Sequence, residues 1–371
     1  MIYATSFISI ILILCCFIRK NSKILFYITF FWMWILFTFS YDKADDLMYQ
    51  NLYAGNLVNK VEIGFTFLCD FFHNKLNIPF RLFLGIYGAI GLALVGATIY
   101  KYSNNKSFAT ACYFIFPFIF DAIQIRNFMA MSILIFAFRF LIRNNRFDWL
   151  KYLMINVIAI SIHSFSIIGL LFLTFNWISK RKLFAITLIA TIIEYVVLKN
   201  KTILINILSV VMTKQKLEAY FILNTYTPGM SSIIKSIMII IIMLISIKII
   251  YDFVRKQNEK NKINEEDKFV DFTFKMYIIF ILFIPLLFYT NIIMRLPRSM
   301  LILLYILISN VINNKIITNN KLKKVDCALI IFLVMLGFIW IQGFIISINN
   351  FGMTYKPLLE NNYLLELFIF E

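Results

Sequence analysis

Apolar side chains fall along the chain in long blocks separated by short polar turns. Residues 3–18, 24–41, 80–100, 108–120, 127–142, 152–178, 183–198, 232–254, 269–290, 299–312 and 325–347 are almost continuously hydrophobic. These runs are too long for the strands of a membrane barrel, which alternate in character over about 10 residues. Lipid offers the backbone no water, so each run has to satisfy its own N–H and C=O groups as a helix. At about 20 apolar residues per crossing, the pattern predicts an all-α polytopic membrane protein of about ten to twelve transmembrane helices.

The polar turns orient the spans. Arg19, Lys20 and Lys23 follow the first block, KYSNNKS the one ending at residue 100, RNNRFDWLK the one ending at 142, and NNKIITNNKLKK the one ending at 312. Short basic loops stay in the cytoplasm. The N-terminus is therefore expected outside, on a first span that is retained, since no basic stretch precedes it and no small-residue cleavage pattern follows. Two long external segments result, 42–79 and 199–231, with a charged cytoplasmic loop at 255–268 and an external tail from Ser347. The whole of 1–371 is expected to be one integral domain of the cytoplasmic (inner) membrane. One block breaks the alternation. Residues 152–178 have Lys151 on one flank and Ser179-Lys180-Arg181-Lys182 on the other, and both flanks are basic. A broken or re-entrant pair of helices meeting near His163 and Ser164 keeps both flanks inside; a single tilted helix is the alternative, and it would reverse every span that follows. Irregular backbone at that depth has to face protein or a watery cavity.

Composition narrows the function classes. The chain is 61% hydrophobic with a mean hydropathy of +0.83, against about 45–50% apolar for soluble proteins. The net charge of +17 sits in the inner loops, as topology demands, so no nucleic-acid partner is expected. The five cysteines show no metal spacing and there are only two histidines, so neither a metal site nor a cofactor is expected. Phosphate-binding and nucleotide-binding glycine motifs and the GxSxG elbow are missing from the sequence. The partner that composition does require is the lipid bilayer.

A few polar residues stand out against this background. Asp46, Tyr49 and Tyr53 share one face of any helix that holds them, and rings beside a carboxylate are a common way to grip sugars. An ordinary surface loop is the alternative. Glu62 opens a weakly amphipathic stretch that runs to Lys75. Arg126, Arg295 and Arg298 are cations at the outer face, where planar guanidinium groups match phosphate bidentately. Headgroup contact, or a bridge from Arg126 to Asp121, is the competing explanation. His163 lies mid-block among Ser161, Ser164 and Ser166, and neutral imidazole there can act as a base. A hydrogen-bonded structural histidine is the plainer alternative.

Taken in order, these features resemble the EpsG/Wzy-type polysaccharide polymerases of bacterial membranes. The resemblance rests on Asp-x-x-Tyr-x-x-x-Tyr at Asp46, Tyr49 and Tyr53, and on Glu-x-Gly at Glu62 and Gly64. It continues through Arg126-Asn127 opening a helix, His163-Ser164 after a basic cytosolic turn, and Arg295 or Arg298 before a late span. The first loop departs from the family's Gly-Thr-Asp-like lead and reads Lys43-Ala44-Asp45-Asp46. Such a protein joins undecaprenyl-diphosphate-linked oligosaccharide repeat units at the outer face of the cytoplasmic membrane, without a metal. The resemblance implies Arg126, Asn127, Arg295 and Arg298 on the pyrophosphate, His163 or Glu62 on the proton, and Asp46, Tyr49 and Tyr53 on the glycan. A chain-length regulator protein is a candidate partner. A flippase or other transporter of lipid-linked glycans, or an O-antigen ligase, remains the alternative. Capsule, O-antigen and exopolysaccharide stay open as products.

Overall fold

The described residues form helices wherever the hydropathy blocks predict them, in a computed structural model that describes residues 4–19, 21–56, 62–198, 228–258, 265–313 and 351–367. The first helices are α1 (Ala4–Ile18), α2 (Lys23–Phe39), α3 (Asp46–Tyr53), α4 (Ile63–Asp70), α5 (Phe80–Tyr102), α6 (Lys106–Ile115), α7 (Phe118–Ile123), α8 (Ile125–Arg143) and α9 (Asp148–Ile162). A 3-10 helix follows at Ser164–Asn176, then α10 (Lys180–Leu198), α11 (Met230–Asn258), α12 (Glu265–Ile279), α13 (Arg295–Asn313), α14 (Phe351–Glu360) and α15 (Tyr363–Leu367). Among the described residues the only β pairing is an isolated antiparallel bridge between Ser40 and Asn362.

Among the described residues, five stretches are long and apolar enough to cross a membrane: Phe80–Tyr102, Ile125–Arg143, Met230–Arg255, Glu265–Phe288 and Asn291–Ile312. The chain is thus a multi-pass, all-α membrane protein. Most of the second external segment, the centre of the 255–268 loop, the block at 325–347 and the start of the tail lie outside the described residues.

Local chemistry sets the helix ends. Ser22 caps α2 by accepting from the Leu25 N–H at 3.3 Å. Asn105 caps α6 by accepting from the Phe108 N–H at 3.3 Å. Asn144 ends α8 in the left-handed region at φ 56°, a conformation that asparagine tolerates better than most residues. The block at 108–120 is split where Pro117, which has no N–H to donate, separates α6 from α7.

The described residues divide into two compact units. One comprises those up to Leu170 together with 299–313 and 351–367; the other comprises 171–198, 228–258 and 265–298. Within the first unit, α5 and α8 run in the same direction, since the Thr98 hydroxyl on α5 meets the Ile135 carbonyl on α8 and Gly91 lies under the Phe128 ring. α2 runs against α5, with the Trp34 indole donating to the Gly85 carbonyl at 2.8 Å and Phe30 packed at Gly96.

The basic turns gather at one end. There the Asn21 N–H donates to Asn105, the Ser107 hydroxyl donates to the Arg19 carbonyl, and the Ser103 and Ser309 hydroxyls lie 2.6 Å apart. At the opposite end the last described helices clasp the end of α2. The Ser40 hydroxyl donates to the Leu358 carbonyl at 3.0 Å, the Tyr41 N–H donates to the Asn361 carbonyl at 3.2 Å, and the Tyr41 hydroxyl donates to Glu366.

The block at 152–178 does turn back on itself. α9 stops at His163, whose backbone is extended at φ −147° and ψ 115°. Continued straight, Gly169 would lie about 25–30 Å from Tyr152 at 1.5 to 2.0 Å per residue. Instead the Tyr152 hydroxyl donates to the Gly169 carbonyl at 2.8 Å. In the amide orientation that satisfies both groups, buried Asn156 donates to the Ser166 carbonyl at 3.1 Å and accepts from the Leu170 N–H at 3.2 Å. A Cβ on Gly169 would meet that amide at 2.7 Å, so the two arms touch through a residue without a side chain. His163 and Ser164 therefore sit at the apex of a helical hairpin, away from the basic turn at Arg143–Asp148.

In the second unit, Lys180, Tyr251, Asp271 and Lys275 form one polar cluster. Lys180 contacts Asp271 and the Tyr251 hydroxyl, and Lys275 lies 3.2 Å from Asp271.

Candidate active site

Glu62 is the hub of the polar residues at the hairpin apex. It caps the start of α4 with backbone at φ −56° and ψ 139°, and its side chain turns away from that helix. Oε2 accepts from Arg126 Nη1 at 2.7 Å. Oε1 accepts from the Ser164 hydroxyl at 2.9 Å and from the Ser164 N–H at 3.3 Å. The carboxylate thus ties α4 to the first turn of α8 and to the start of the 3-10 helix. Both partners of the ion pair are largely buried, with side chains 16% and 9% exposed. In such surroundings a charge pair persists only with further hydrogen bonds, and Ser164 supplies them.

Gly64 permits this closeness. A Cβ there would meet the Ser161 carbonyl oxygen at 2.8 Å and its carbon at 2.9 Å. α4 therefore lies directly on the last turn of α9, and two residues earlier Glu62 reaches the apex.

Arg126 stands in the first turn of α8 and lies 5.8 Å from the ring centres of both Tyr49 and Phe65. Its Nε is buried without a hydrogen-bond partner. Both amide atoms of buried Asn127 are also without partners.

His163 Nδ1 accepts from the Phe165 N–H at 3.2 Å. The neutral ring then carries its proton on Nε2 and presents a donor there. Nδ1 lies 3.9 Å from Glu62 Oε1, which is beyond hydrogen-bond length.

The structure therefore brings Glu62, Arg126, His163 and Tyr49 together. It gives Asp46 and Tyr53 other contacts. Asp46 accepts from the Lys43 N–H at 3.3 Å and lies 3.6 Å from the Lys43 ammonium. The Tyr53 hydroxyl donates to the Ile78 carbonyl at 2.5 Å, and its ring stacks on Phe83. Asp121 meets the Tyr113 hydroxyl at 2.9 Å, whereas Arg126 pairs with Glu62. Arg295 and Arg298 stand one turn apart at the start of α13, in the second unit.

Lys43 is itself informative. Its ammonium is wholly buried and donates to the Phe37 carbonyl at 3.0 Å. Burial pushes its pKa down from 10.5 to about 8, against the pull of Asp46. Between those values the unfolded chain holds more protons than the folded one, so stability rises with pH. The thermal midpoint of the wild type, compared with Lys43→Met, is expected to gain as pH is raised from about 8 toward 10.5. A constant difference across that window would place the ammonium in water.

The sequence model of the EpsG family matches residues 23–356. The chain belongs to the EpsG family. The match spans every candidate residue from Asp46 to Arg298, and the family supports a polysaccharide polymerase-type role in a multi-pass membrane protein. No curated protein and no solved structure matches the chain. Sequence reasoning passed over two residues of the hairpin and the cluster at its apex in this EpsG-family chain. Asn156 pins the hairpin, and a buried Asn inside an apolar helix is a legible signal for such a role. Tyr87 on α5 is buried beside the cluster and left no such signal, because a Tyr in an apolar helix reads as packing.

Proposed function

We propose that the protein joins lipid-diphosphate-linked oligosaccharide repeat units, with undecaprenyl diphosphate as the leaving group, at the outer face of the cytoplasmic membrane. The observation that carries this reading is the meeting of carboxylate, guanidinium and imidazole at the hairpin apex, on the end of the first unit away from its basic turns. Such a transfer needs a cation for the departing diphosphate and a base for the acceptor hydroxyl.

In this reading an acceptor hydroxyl oxygen bonds to the anomeric carbon of the donor glycan. The bond from that carbon to the diphosphate oxygen breaks, and its electron pair leaves with the lipid diphosphate. Arg126 turns from Glu62 to the diphosphate as negative charge gathers there. Losing its counter-ion makes the Glu62 carboxylate more basic, so it takes the acceptor proton as the leaving group is stabilised. His163, with Nδ1 occupied by the Phe165 N–H, acts as a donor through Nε2. Tyr49 holds the Arg126 cation against its ring and offers its edge to the glycan. Asp46 and Tyr53 shape the segment that carries Tyr49. Arg295 and Arg298 are further candidates for anionic oxygens, and Asn127 for a polar group of the substrate.

The test is extension of a defined lipid-linked repeat by purified protein in lipid nanodiscs. Wild type is expected to build a ladder, and Glu62→Gln to slow it by about 10²–10⁴ while still binding the donor. Equal ladders from both proteins would remove Glu62 as the base. Movement of intact repeats across a bilayer, with no chain growth, would instead mark a transporter.

A further inference from the structure

Tyr87 lies on α5, two turns in from Phe80, and is 3% exposed. Its ring is held by Phe83 at 5.3 Å and by Phe65 at 6.1 Å between centroids. Its hydroxyl is buried and has no hydrogen-bond partner. Its electrostatic neighbours are Tyr49, Cys69, Arg126 and Glu62, so it faces the cluster at the hairpin apex. Phe65 is the shared wall: Arg126 lies over that ring at 5.8 Å and Tyr87 meets its edge. Arg126 Nε is the second buried donor there without a partner.

Leaving a buried hydroxyl unpaired costs stability, and phenylalanine would fill the same space without that cost. Two unpaired donors against one ring therefore point to an acceptor that arrives from outside the protein. An anionic oxygen suits them, because one is a cation and the other a phenol that donates readily to charge. Nearby Glu62 is already held by Arg126 Nη1 and by Ser164.

We infer that the Tyr87 hydroxyl and Arg126 Nε form a two-donor seat for one phosphate oxygen of the lipid diphosphate. Tyr87 is thus a substrate-binding residue, one that recognises the diphosphate rather than the sugar. The inference rests on the reading of the protein as an enzyme of lipid-diphosphate-linked glycans.

The experiment compares wild type with Tyr87→Phe in nanodiscs, using undecaprenyl diphosphate, undecaprenol and inorganic diphosphate as probes. Without ligand, Tyr87→Phe is expected to melt at the same temperature as wild type or higher. It should bind undecaprenyl diphosphate roughly ten- to a hundredfold more weakly, the loss of one hydrogen bond to a charged group, while its affinity for undecaprenol is unchanged. A parallel loss for inorganic diphosphate would place the recognition in the phosphates alone; a loss confined to the lipid form would make the lipid chain necessary to reach the seat. KM for the lipid-linked repeat should rise more than kcat falls. A lower melting temperature would show that the hydroxyl already has a partner, and unchanged diphosphate affinity would show that it has none in the complex. Either result overturns the seat. If wild type binds the diphosphate through Tyr87 yet builds no polymer, the seat stands and the polymerase reading falls. If both proteins polymerise equally, the reverse holds.

Discussion

Replacing Arg126 with alanine is expected to halt chain growth at a single repeat unit, with a rate loss of at least about 10²–10³, the usual cost of removing a charge-stabilising donor. Two effects combine. On the proposed mechanism the departing diphosphate loses its guanidinium, and Glu62 loses the group it hands over. Breaking a buried pair from one side also destabilises, by about 3–5 kcal/mol, because the Glu62 carboxylate keeps its Ser164 hydrogen bonds but loses the guanidinium that balances its charge. The variant must therefore be measured with its thermal midpoint beside its ladder. Arg126→Lys separates the effects. It restores a positive charge near Glu62, and with it much of the stability, but one ammonium cannot reproduce the planar fork that meets carboxylate and diphosphate in turn. A stable Arg126→Lys protein with short or missing ladders is the expected result. Full-length ladders from Arg126→Ala would sink the assignment of the guanidinium to the leaving group.

The hydropathy blocks made the architecture readable because the bilayer imposes its demand locally: each span must close its own hydrogen bonds, so each announces itself within its own residues. The hairpin at His163 was readable for a related reason. Two basic flanks on one block favoured a broken pair over a single tilted crossing, and the Tyr152–Gly169 and Asn156 contacts close the pair.

The site was less readable. Arg126, His163 and Glu62 were each visible as polar residues in awkward places, but nothing local says that Glu62 takes Arg126 at a separation of 64 residues or Ser164 at 102. Periodicity put Asp46, Tyr49 and Tyr53 on one helical face, and only Tyr49 lies against the Arg126 guanidinium. Asp46 sits at the helix start, where a buried lysine claims it, and Tyr53 sits at the end where the Ile78 carbonyl lies. A shared face fixes direction; which partner each side chain meets depends on what the rest of the chain packs against it.

Gly64→Ala is the second substitution from which a large effect is expected, and it tests the scaffold rather than the chemistry. The added methyl would run into the Ser161 carbonyl at 2.8 Å and 2.9 Å, closer than a Cβ can stay. The Ser161 hydroxyl is nearer still and can rotate away, but the carbonyl behind it is backbone, so no rotamer change clears the site. α4 must withdraw from α9, at an overpacking cost of about 1–3 kcal/mol. Glu62 opens α4, so it withdraws too, lengthening its hydrogen bonds to Ser164. A shift of about 1 Å in a catalytic group costs on the order of a hundredfold in rate. Gly64→Ala is therefore expected to remain in the membrane, to melt at a lower temperature, and to lose most of its polymer ladder. Trimming the neighbour should not help: Ser161→Gly in the same chain removes a hydroxyl and leaves the carbonyl where it was. Gly229→Ala serves as the control, because its added methyl meets nothing within 4 Å. Recovery of the ladder in the Gly64→Ala, Ser161→Gly double variant would trace the contact to the serine side chain, and the close backbone approach would no longer explain why Glu62 reaches the apex.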